Sequence, residues 1–563
     1  MGTLAGVVAE MLKDGGDKMV SILTEVFNDV LQTKKTPPSA WKEARIKVLF
    51  KKGDEKLLEN YRPITILPIL YKVFSRVLDA RLKQLLDKQQ SVDQAGFRGG
   101  FSCDDHLFTV MLATEKAAEW NTHLWIAAVD FKKAFDCVEH FAIWDALREL
   151  GVPEQYVEVL AALYQGQTGV VCEDRDSRKF EIGRGTKQGD PVSPKIFNAV
   201  LEVVFRRLKE RWEKRKWGLR MHATWPTRWL TNLRFADDVM LTATTLPQLE
   251  KMLGDLAEEA RKAGLELHFG KTKILSNMQV RRGVSAAQHA DVLGQPVEVL
   301  PFDGSVAYLG REVSFADHHD VELQNRLSKA WAKFMVHKEE LCSRHYLLHD
   351  RLRLFGAVIS PSVLYGCGAW AMTTERERKL RTTQRKMLRK MLGAHRGRKV
   401  GERVTREGEK SGEARDDDDQ HSTQSGSSST TSSATKEKST GSDDEEEAEE
   451  EEEEESWVDW ITRATHLAAD AARKAGVVDW VEEQRRRKWR WAGHVARRED
   501  GRWSRSILDW EPVGGRRSWG RPVLRWEDPL SKFAKSKDVN WHRAAQDRGQ
   551  WGIWEDEFVA KRW

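Results

Sequence analysis

Apolar residues recur at spacings of three and four in five stretches of the first 400 residues. These are VSILTEVFNDVL at 20–31, ILYKVFSRVLDARLKQLL at 69–86, IFNAVLEVVFRRLKER at 196–211, NRLSKAWAKF at 325–334 and RTTQRKMLRKML at 381–392. This spacing predicts amphipathic helices. For the third helix, Ser193 is expected as the N-cap and Pro194 as the first helical residue.

Two short apolar runs, WIAAVDF at 125–131 and LRFADDVMLTA at 233–243, are typical of buried strands. The second run is interrupted only by two adjacent aspartates, as a β-hairpin would be. Helical stretches and strand-like runs therefore alternate over residues 1–400. This alternation predicts an enzyme core of the α+β class.

Composition separates residues 401–456 from the rest of the chain. This serine-rich and acidic stretch holds 21 acidic and 6 basic residues and almost no apolar ones, which predicts a disordered linker. Because the whole chain carries +5 and this stretch −15, the remainder carries +20. Such a charge suits a polyanionic partner such as nucleic acid, and a merely soluble surface is the alternative.

Tryptophan marks the C-terminal part, since 13 of the 23 tryptophans lie at or beyond Trp457. A separate C-terminal module is therefore expected over 457–563. The five cysteines are widely spaced and form no CxxC pair, which argues against a disulfide framework or a zinc knuckle and favours a reducing, intracellular compartment. No apolar run is long enough to predict a membrane span.

Three carboxylates carry the candidate chemistry. Asp130 follows the apolar run that ends at Val129, and Asp237 and Asp238 fall at the presumed hairpin turn. If the two sites converge, they could hold two Mg²⁺ ions, the arrangement that nucleotidyl transfer requires. A solvated turn is the alternative explanation of the aspartate pair.

The order of eight segments adds a resemblance to a known family. The segments are FKKGD at 50–54 with Trp41-Lys42 before it, NYRPITILPILYKVFSRVLDARL at 60–82, QAGFRGGFSCDDHLF at 94–108, AAVDFKKAFDCV at 127–138, GTKQGDPVSPKIFNAVLE at 185–202, RFADDVML at 234–241, GLELHFGKTKIL at 264–275 and YLG at 308–310. In this order they resemble the reverse transcriptase domain of non-LTR (LINE-like) retrotransposons, over roughly residues 10–315.

The resemblance implies a right-hand polymerase. The expected domains are fingers and palm with an antiparallel palm sheet at 1–310 (core about 40–310), a helical thumb or connection at 311–400, the disordered acidic linker at 401–456, and a small Trp/Arg-rich nucleic-acid-binding module at 457–563. It also implies that Asp130, Asp237 and Asp238 form the acidic triad that holds two Mg²⁺ ions, or alternatively Mn²⁺. Asp130 and Asp237 are expected to be the direct ligands of both ions.

The same resemblance assigns roles around the triad. Lys271 would protonate the departing pyrophosphate, Arg62 would contact phosphate, and Phe135 would exclude a 2′-hydroxyl as a steric gate. Gln188 and Gly189 would let the loop 185–194 approach template and nucleotide. Each has a plainer alternative: an exposed lysine, a surface arginine, a core phenylalanine and a turn-rich loop. His268, where relatives usually carry Asn, departs from the family pattern.

In the C-terminal module, cations and tryptophans interleave along RRRKWRW. The residues expected to bind nucleic acid by charge and stacking are Arg485, Arg486, Arg487, Lys488, Trp489 and Trp491. The alternative is that the tryptophans form the core of a small domain that packs against the polymerase. The RRRK run is also typical of a nuclear import signal, so we expect a nuclear protein with a cytoplasmic ribonucleoprotein stage.

The predicted function is that of an RNA-directed DNA polymerase whose partners are an RNA template, a DNA primer and dNTPs, with no membrane partner. Two alternatives stay open, an inactive RNA-binding protein derived from such an element and an RNA-dependent RNA polymerase. Residues 1–12 resemble the middle of a longer family pattern, and we see neither an endonuclease domain nor a Cys/His zinc motif. We therefore expect a fragment of an element or a truncated gene product.

Overall fold

The structure, a computed structural model, describes residues 7–32, 37–51, 53–172, 176–221, 228–278, 289–393, 455–512, 514–517 and 524–561. The helices before residue 300 are α1 (Ala9–Asp14), α2 (Gly16–Gln32), α3 (Ile69–Gln89), α4 (Cys103–Glu119), α5 (Ala134–Cys137), α6 (His140–Glu149), α7 (Glu154–Tyr164), α8 (Ser193–Lys214) and α9 (Leu246–Arg261). The strands are β1 (Glu43–Phe50), β2 (Tyr61–Ile66), β3 (Trp125–Val129), β4 (Thr168–Val171), β5 (Phe180–Glu181), β6 (Leu219–Arg220), β7 (Trp229–Leu230), β8 (Asn232–Phe235), β9 (Asp238–Ala243), β10 (Lys273–Ser276), β11 (His289–Val292), β12 (Gln295–Val299), β13 (Ser305–Tyr308) and β14 (Arg311–Ser314). Helices continue with α10 (His318–Val336), α11 (Lys338–Cys342), α12 (Leu348–Val363), α13 (Thr374–Leu392), α14 (Trp457–Lys474), α15 (Trp480–Ala496), α16 (Trp503–Leu508), α17 (Asp528–Lys535), α18 (Trp541–Ala544), α19 (Arg548–Ile553) and α20 (Glu555–Ala560).

The helices and strands predicted from periodicity all form. The predicted helical stretches lie within α2, α3, α8, α10 and α13, and the two apolar runs become β3 and the β8–β9 hairpin. At the start of α8, however, Ser193 is already helical and Val192 is the capping residue. The expected N-cap is thus displaced by one residue.

A six-stranded sheet forms the centre of the molecule, in the order β11-β12-β10-β3-β9-β8. Four of its five pairings are antiparallel, as expected, and β10 with β12 is parallel. Strand β3 lies between β10 and β9. The sheet therefore places the end of β3 directly beside the β8–β9 hairpin.

Side chains on alternate residues of this sheet enter two different cores, as the pleat requires. Ala127 and Leu241 join a core built with α2, α3 and α6 to α9. Ile126 and Met240 face the opposite side and join α4 and the helices after residue 480. Helix α4 is consequently buried on nearly all sides, and it begins with a capping box formed by Ser102 and Asp105.

A second sheet of four strands, in the order β2-β1-β4-β5, stands apart from the first. Strands β1 and β2 form an antiparallel hairpin in which Leu49 is paired with Arg62. Strand β4 pairs in parallel with β1. The YRPI segment thus lies on β2, and the FKKGD segment begins at Phe50, the last residue of β1.

The third core is helical and contains α10, α12 and α13 together with residues of α14 and the start of α15. The expected boundary at 310/311 falls in the turn of the β13–β14 hairpin. Residues 394–454, which include nearly all of the expected linker, lie outside the described residues. Glu455 and Ser456 do not continue the linker: Glu455 pairs with Arg463, and Ser456 caps α14.

The tryptophan-rich C-terminal part is helical, and the packing does not show it as the separate module that was expected. Trp480 is buried in the third core, and Trp489, Trp503 and Trp526 are buried in the core beneath the six-stranded sheet. The described residues between 457 and 561 therefore share their cores with the part of the chain before residue 394. The sequence could not show this, because an apolar face predicts burial without naming its partner.

In the described part of the chain, helices long and apolar enough to cross a membrane are not found.

Candidate active site

Asp237 and Asp238 lie at a tight turn between β8 and β9, where Phe235 is paired with Asp238. Ala236 adopts the left-handed region in this turn, with a φ of 57°. The conformation is uncommon for a residue with a side chain and persists only where neighbours hold it. The turn therefore needs support from outside the hairpin.

Gln94 and Gly96 provide that support. The side-chain oxygen of the buried Gln94 accepts hydrogen bonds from the backbone N–H of Ala236 and of Gly96, both at 2.9 Å. Gly96 lies so close that a Cβ atom there would be 2.5 Å from the nitrogen of Ala236. The QAGF segment was noted in the sequence, but its role as a clamp on the turn was missed.

Asp130 follows β3, and its position is fixed by the register of the sheet. Val129 is paired with Val239, so Asp130 comes beside Asp238 at the ends of neighbouring strands. The backbone carbonyl of Asp130 accepts a hydrogen bond from the N–H of His268 at 2.7 Å. The structure thus brings together the three predicted carboxylates.

The pKa values of Asp237 and Asp238 are raised by burial and by the charge of neighbouring carboxylates. Although part of Asp238 is open to solvent, enclosure of its carboxyl group and then the charges of Asp237 and Asp130 raise its pKa to about 6. Burial, and then the charge of Asp130, raise the pKa of Asp237. Negative charge is therefore concentrated here beyond what the nearby cations neutralise.

Two cations of the β1–β2 hairpin face the carboxylates. Arg62 and Lys51 both lower the pKa of Asp237, and Lys51 also lowers that of Asp238. The prediction that Arg62 is a site residue is consistent with this placement. Lys51, in the FKKGD segment, was missed because nothing local shows that the hairpin faces the sheet.

The donor set suits Mg²⁺ in chemistry, since carboxylate oxygens are the ligands that this ion prefers. In the part of the chain that the structure describes, no three His, Cys, Asp or Glu side chains are gathered closely enough to hold one metal ion as they stand. The raised pKa values of Asp237 and Asp238 nevertheless fit a site that a cation would neutralise.

The loop 185–194 follows β5 of the four-stranded sheet and leads into α8. Gln188 donates from its side-chain nitrogen to Asp136 at 3.2 Å, and its carbonyl accepts from the N–H of Thr65. Gly189 has a φ of 103°, and a Cβ atom there would lie 3.0 Å from the carbonyl oxygen of Thr65. Both residues thus lie close to the backbone of strand β2, and their expected approach to template and nucleotide stays a prediction.

Buried polar groups anchor the same loop. Asp190 accepts hydrogen bonds from the hydroxyls of Tyr71 and Ser75. Lys187 lies 4.2 Å from the centre of the Tyr71 ring, and burial lowers its pKa to about 8. Neither residue was singled out from the sequence.

Phe135 lies in α5, between the carboxylates and the loop. Its ring stacks on Phe197 at 4.1 Å with an angle of 22° between the planes, and it is half-buried. Its carbonyl accepts the N–H of Thr186. One face is thus fixed by the core, while the side chain still reaches solvent, a placement compatible with the predicted gate.

Lys271 is exposed in the turn that precedes β10, and its backbone N–H donates to the carbonyl of His268. That turn also carries Thr272, whose hydroxyl accepts the N–H of Asp130 at 3.3 Å. The segment is therefore attached to the site through its backbone. A role for the Lys271 ammonium group stays a prediction.

The residues predicted to bind nucleic acid through the RRRKWRW segment are engaged within the chain. The three arginines form ion pairs: Arg485 with Glu377, Arg486 with Glu555 and Arg487 with Glu483. Lys488 is buried, and its ammonium group donates to the carbonyl of Trp370. Trp489 is 1% exposed, and Trp491 is half-buried against Phe108.

Trp489 corrects the stacking prediction most clearly. Its ring lies parallel to that of Trp551, with centroids 3.7 Å apart, and its N–H donates to the carbonyl of Trp551. A ring enclosed in this way offers no face to a base. Arg485 and Lys488 are likewise too buried to reach a phosphate. Trp489, Arg485 and Lys488 are therefore part of a packed core, as the alternative interpretation of this segment expects.

The arrangement of the six-stranded sheet, its three carboxylates and the facing cationic hairpin defines a right-hand nucleic-acid polymerase, with the four-stranded sheet as the fingers and the six-stranded sheet as the palm. Residues 50–312 match the family model described as reverse transcriptase (RNA-dependent DNA polymerase). This part of the chain belongs to that family, and it is a domain of the kind carried by non-LTR retrotransposons.

Proteins of transposable elements are similar to this chain. The transposon-derived protein F52C9.6 of Caenorhabditis elegans is 27% identical over 57% of this chain and 94% of its own length. The RNA-directed DNA polymerase from transposon X-element of Drosophila melanogaster is 25% identical over 66% of this chain and 40% of its own. The Pol polyprotein of the R2 element of Nasonia vitripennis is 32% identical over 37% of this chain. The chain spans only 19% of that polyprotein.

Among solved structures, telomerase from Candida albicans in complex with a TWJ fragment of telomeric RNA is similar, at 13% identity, 67% coverage of each chain and a TM-score of 0.37. Apo telomerase from Candida tropicalis gives 12% identity and a TM-score of 0.37, with 67% of this chain and 62% of that chain covered.

Proposed function

We propose that the chain is an RNA-directed DNA polymerase of a non-LTR retroelement, which extends a DNA primer on an RNA template with dNTPs. The observation that carries this proposal is the convergence of Asp130 with Asp237 and Asp238 beneath the cationic side chains Lys51 and Arg62. Carboxylates with raised pKa values in an enclosed site are a typical sign of catalytic use.

In the reaction, the primer 3′-hydroxyl loses its proton and attacks the α-phosphorus of the dNTP, and the bond to pyrophosphate breaks. Asp130 and Asp237 would hold two Mg²⁺ ions, or Mn²⁺, with Asp238 beside them. Bound there, the ions supply the positive charge that activates the 3′-hydroxyl and stabilises the leaving pyrophosphate.

The other residues of the site bind and orient the substrates. Lys51 and Arg62 face the carboxylates from the fingers, where their charge would hold the triphosphate. Phe135 would pack beneath the sugar and disfavour a 2′-hydroxyl. The loop that contains Gln188 and Gly189 would contact template and nucleotide while the fingers strand β2 holds its backbone.

Substitution of the carboxylates tests the proposal. Asp130→Asn and Asp237→Asn should each abolish primer extension on an RNA template, because each removes a charge that binds the ions. Asp145→Asn is the matched control, since Asp145 lies on the exposed surface of α6 with 72% of its side chain accessible. Circular dichroism confirms that the variants fold.

Nucleotide choice separates the alternatives. Extension with dNTPs well above extension with NTPs supports a reverse transcriptase, whereas the reverse preference indicates an RNA-dependent RNA polymerase. RNA binding by a wild-type chain that extends no primer under any condition would instead support an inactive, element-derived RNA-binding protein. Nuclear localisation also stays a proposal, which the fate of a fluorescent fusion would decide.

A further inference from the structure

The helix α16 meets the palm directly behind the catalytic turn. Trp503, its first residue, is 3% exposed, and its indole N–H donates to Oδ1 of Asp93 at 2.6 Å. The guanidinium of Arg228 lies 4.2 Å from the centre of the Trp503 ring. A residue from the C-terminal part thus contributes a hydrogen bond to the interior of the palm.

Asp93 is fully buried and carries a charge there. Its Oδ2 accepts hydrogen bonds from Lys209 at 2.6 Å and from Ser91 at 2.7 Å. Burial would raise the pKa of Asp93, but the charges of Lys209 and Arg234 outweigh burial and lower it well below the usual range. In such a site every donor matters, because a buried charge that loses a partner is costly.

Asp93 is linked to the catalytic turn through Arg234. The backbone N–H of Arg234 donates to the carbonyl of Asp93 at 2.7 Å, and the carbonyl of Arg234 accepts the N–H of Ala95 at 2.9 Å. Between these two bonds lies Gln94, whose side chain holds Ala236. Displacement of Asp93 would therefore move the clamp on the turn.

A second route reaches the same residue. Arg502 donates to Asp105 at 3.2 Å, and Arg498 donates to the other carboxylate oxygen of Asp105. Asp105 belongs to the capping box of α4, and the next residue, His106, contacts the carbonyl of Arg234 at 2.9 Å. Two independent contacts from the C-terminal helices thus converge on Arg234, three residues before Asp237.

We propose that Trp503 and Arg502 are positioning residues for nucleotide addition, which hold the β8–β9 turn, and with it Asp237 and Asp238, through Asp93 and Asp105. The inference rests on the proposed polymerase function. In this role the C-terminal helices contribute to the chemical step rather than to binding of the template.

Trp480 offers a matched control for Trp503. It also lies at the start of a C-terminal helix, it is fully buried, and its indole N–H donates to a side-chain oxygen, the hydroxyl of Ser360, at 2.9 Å. Its surroundings, however, are those of the helical core around Phe355, away from the catalytic turn. Trp503→Phe and Trp480→Phe thus each remove one buried donor and keep an aromatic ring.

The experiment compares both variants with the wild-type chain in single-nucleotide addition and in hydrogen exchange of peptides that cover residues 232–241. Trp503→Phe should slow the single-turnover rate by about 10- to 100-fold, the effect of a small displacement of reacting groups. It should also speed exchange in this peptide and leave template–primer affinity unchanged. Trp480→Phe should change neither the rate nor the exchange. Arg502→Lys keeps the positive charge but removes the guanidinium group that donates to Asp105. It should therefore also slow nucleotide addition and speed exchange.

The proposal is overturned by equal effects of Trp503→Phe and Trp480→Phe on both measurements, or by wild-type rate and exchange in Trp503→Phe. A lower template affinity with an unchanged rate also overturns it, because that result assigns α16 to binding. If the wild-type chain adds no nucleotide, the proposed function fails, and hydrogen exchange alone still decides whether Trp503 holds the turn.

Discussion

At the scale of the residue, the space beside the catalytic turn is limited by one glycine. A Cβ atom at Gly96 would approach the nitrogen of Ala236 to 2.5 Å, a distance that neither backbone can tolerate without moving. Gly96→Ala should therefore displace Asp237 and reduce the rate of primer extension by about 100-fold. Steady-state extension on an RNA template measures this.

Gly99, three residues further along the same segment, is the control for Gly96. A Cβ atom there would meet only the flexible end of Lys83, at 3.7 Å, an ordinary contact. Gly99→Ala should extend primers as the wild-type chain does. Loss of activity in both variants would mean that the segment tolerates no added side chain, and the specific clash with the turn would lose its support.

Sugar selection is a second property that one residue should decide. Phe135 stacks on the buried Phe197, so shortening it to Val removes the outer ring and opens space on the solvent side. Phe135→Val should raise the ratio of NTP to dNTP incorporation and lower dNTP use only modestly. Phe141→Val, at an exposed position of α6, should change neither. An unchanged ratio in Phe135→Val would place sugar selection elsewhere.

At the scale of the element, the sequence predicted which segments are helices and strands far better than what those elements contact. The spacing in 325–334 and 381–392 predicts helices because it reflects local geometry. The RRRKWRW segment, in contrast, has a composition suited equally to a phosphate-binding surface and to a buried network of ion pairs. Only the pairing of Arg485 with Glu377, 108 residues earlier, distinguishes the two.

The candidate site divides in the same way. Asp130, Asp237 and Asp238 were candidates because each follows or interrupts an apolar run, and the order of the eight segments then assigned them to one triad. Lys51, Gln94 and their contacts could not be predicted, since they depend on how distant segments fold against the hairpin. The sequence thus indicated the carboxylates and Arg62, whereas Lys51 and the groups that hold the turn in place appeared only with the fold.

The stability of the chain should depend on pH through Glu115 of α4, which faces the C-terminal helices. Burial raises the pKa of Glu115 from its ordinary 4.5 to about 7, although it accepts the N–H of Trp526. Because the folded-state pKa is the higher one, the stability that this proton contributes is full below pH 4.5 and is lost as the pH rises through 7.

Glu115→Gln removes this titration and keeps an oxygen to accept the N–H of Trp526. The variant should therefore unfold at higher urea concentration than the wild-type chain at pH 8, by about 1 to 3 kcal/mol in free energy. The gain should shrink steadily as the pH falls toward 4.5. Urea titrations at a series of pH values measure it, and curves that stay parallel over this range would contradict the assignment.

At the scale of the whole molecule, the shared cores predict that the chain stays together when it is cut. A protease site placed within residues 394–454 would separate the reverse transcriptase domain from the C-terminal helices in sequence but not in packing, since Trp480, Trp489 and Trp526 are buried against the first part. After cleavage, both fragments should elute as one complex in size-exclusion chromatography.

The isolated C-terminal fragment is the complementary measurement. Expressed without the first part, residues 455–563 would expose the tryptophans that the palm and the helical core cover. The fragment should show weak, non-cooperative thermal unfolding by circular dichroism and regain a cooperative transition on mixing with residues 1–393. Independent, cooperative folding of the fragment would restore the interpretation of a separate module.

The dependence of the catalytic turn on Trp503 also has a consequence for the order of synthesis. Trp503 is made 266 residues after Asp237. At typical translation speeds of about 5–20 residues per second, the nascent polymerase spends roughly 13–53 s with its carboxylates made and their support absent. During that interval the face of the six-stranded sheet that carries Ile126 and Met240 lacks the C-terminal helices that pack against it. A ribosome that stops early therefore releases a product in which every catalytic side chain is present and the turn that aims them is not yet held.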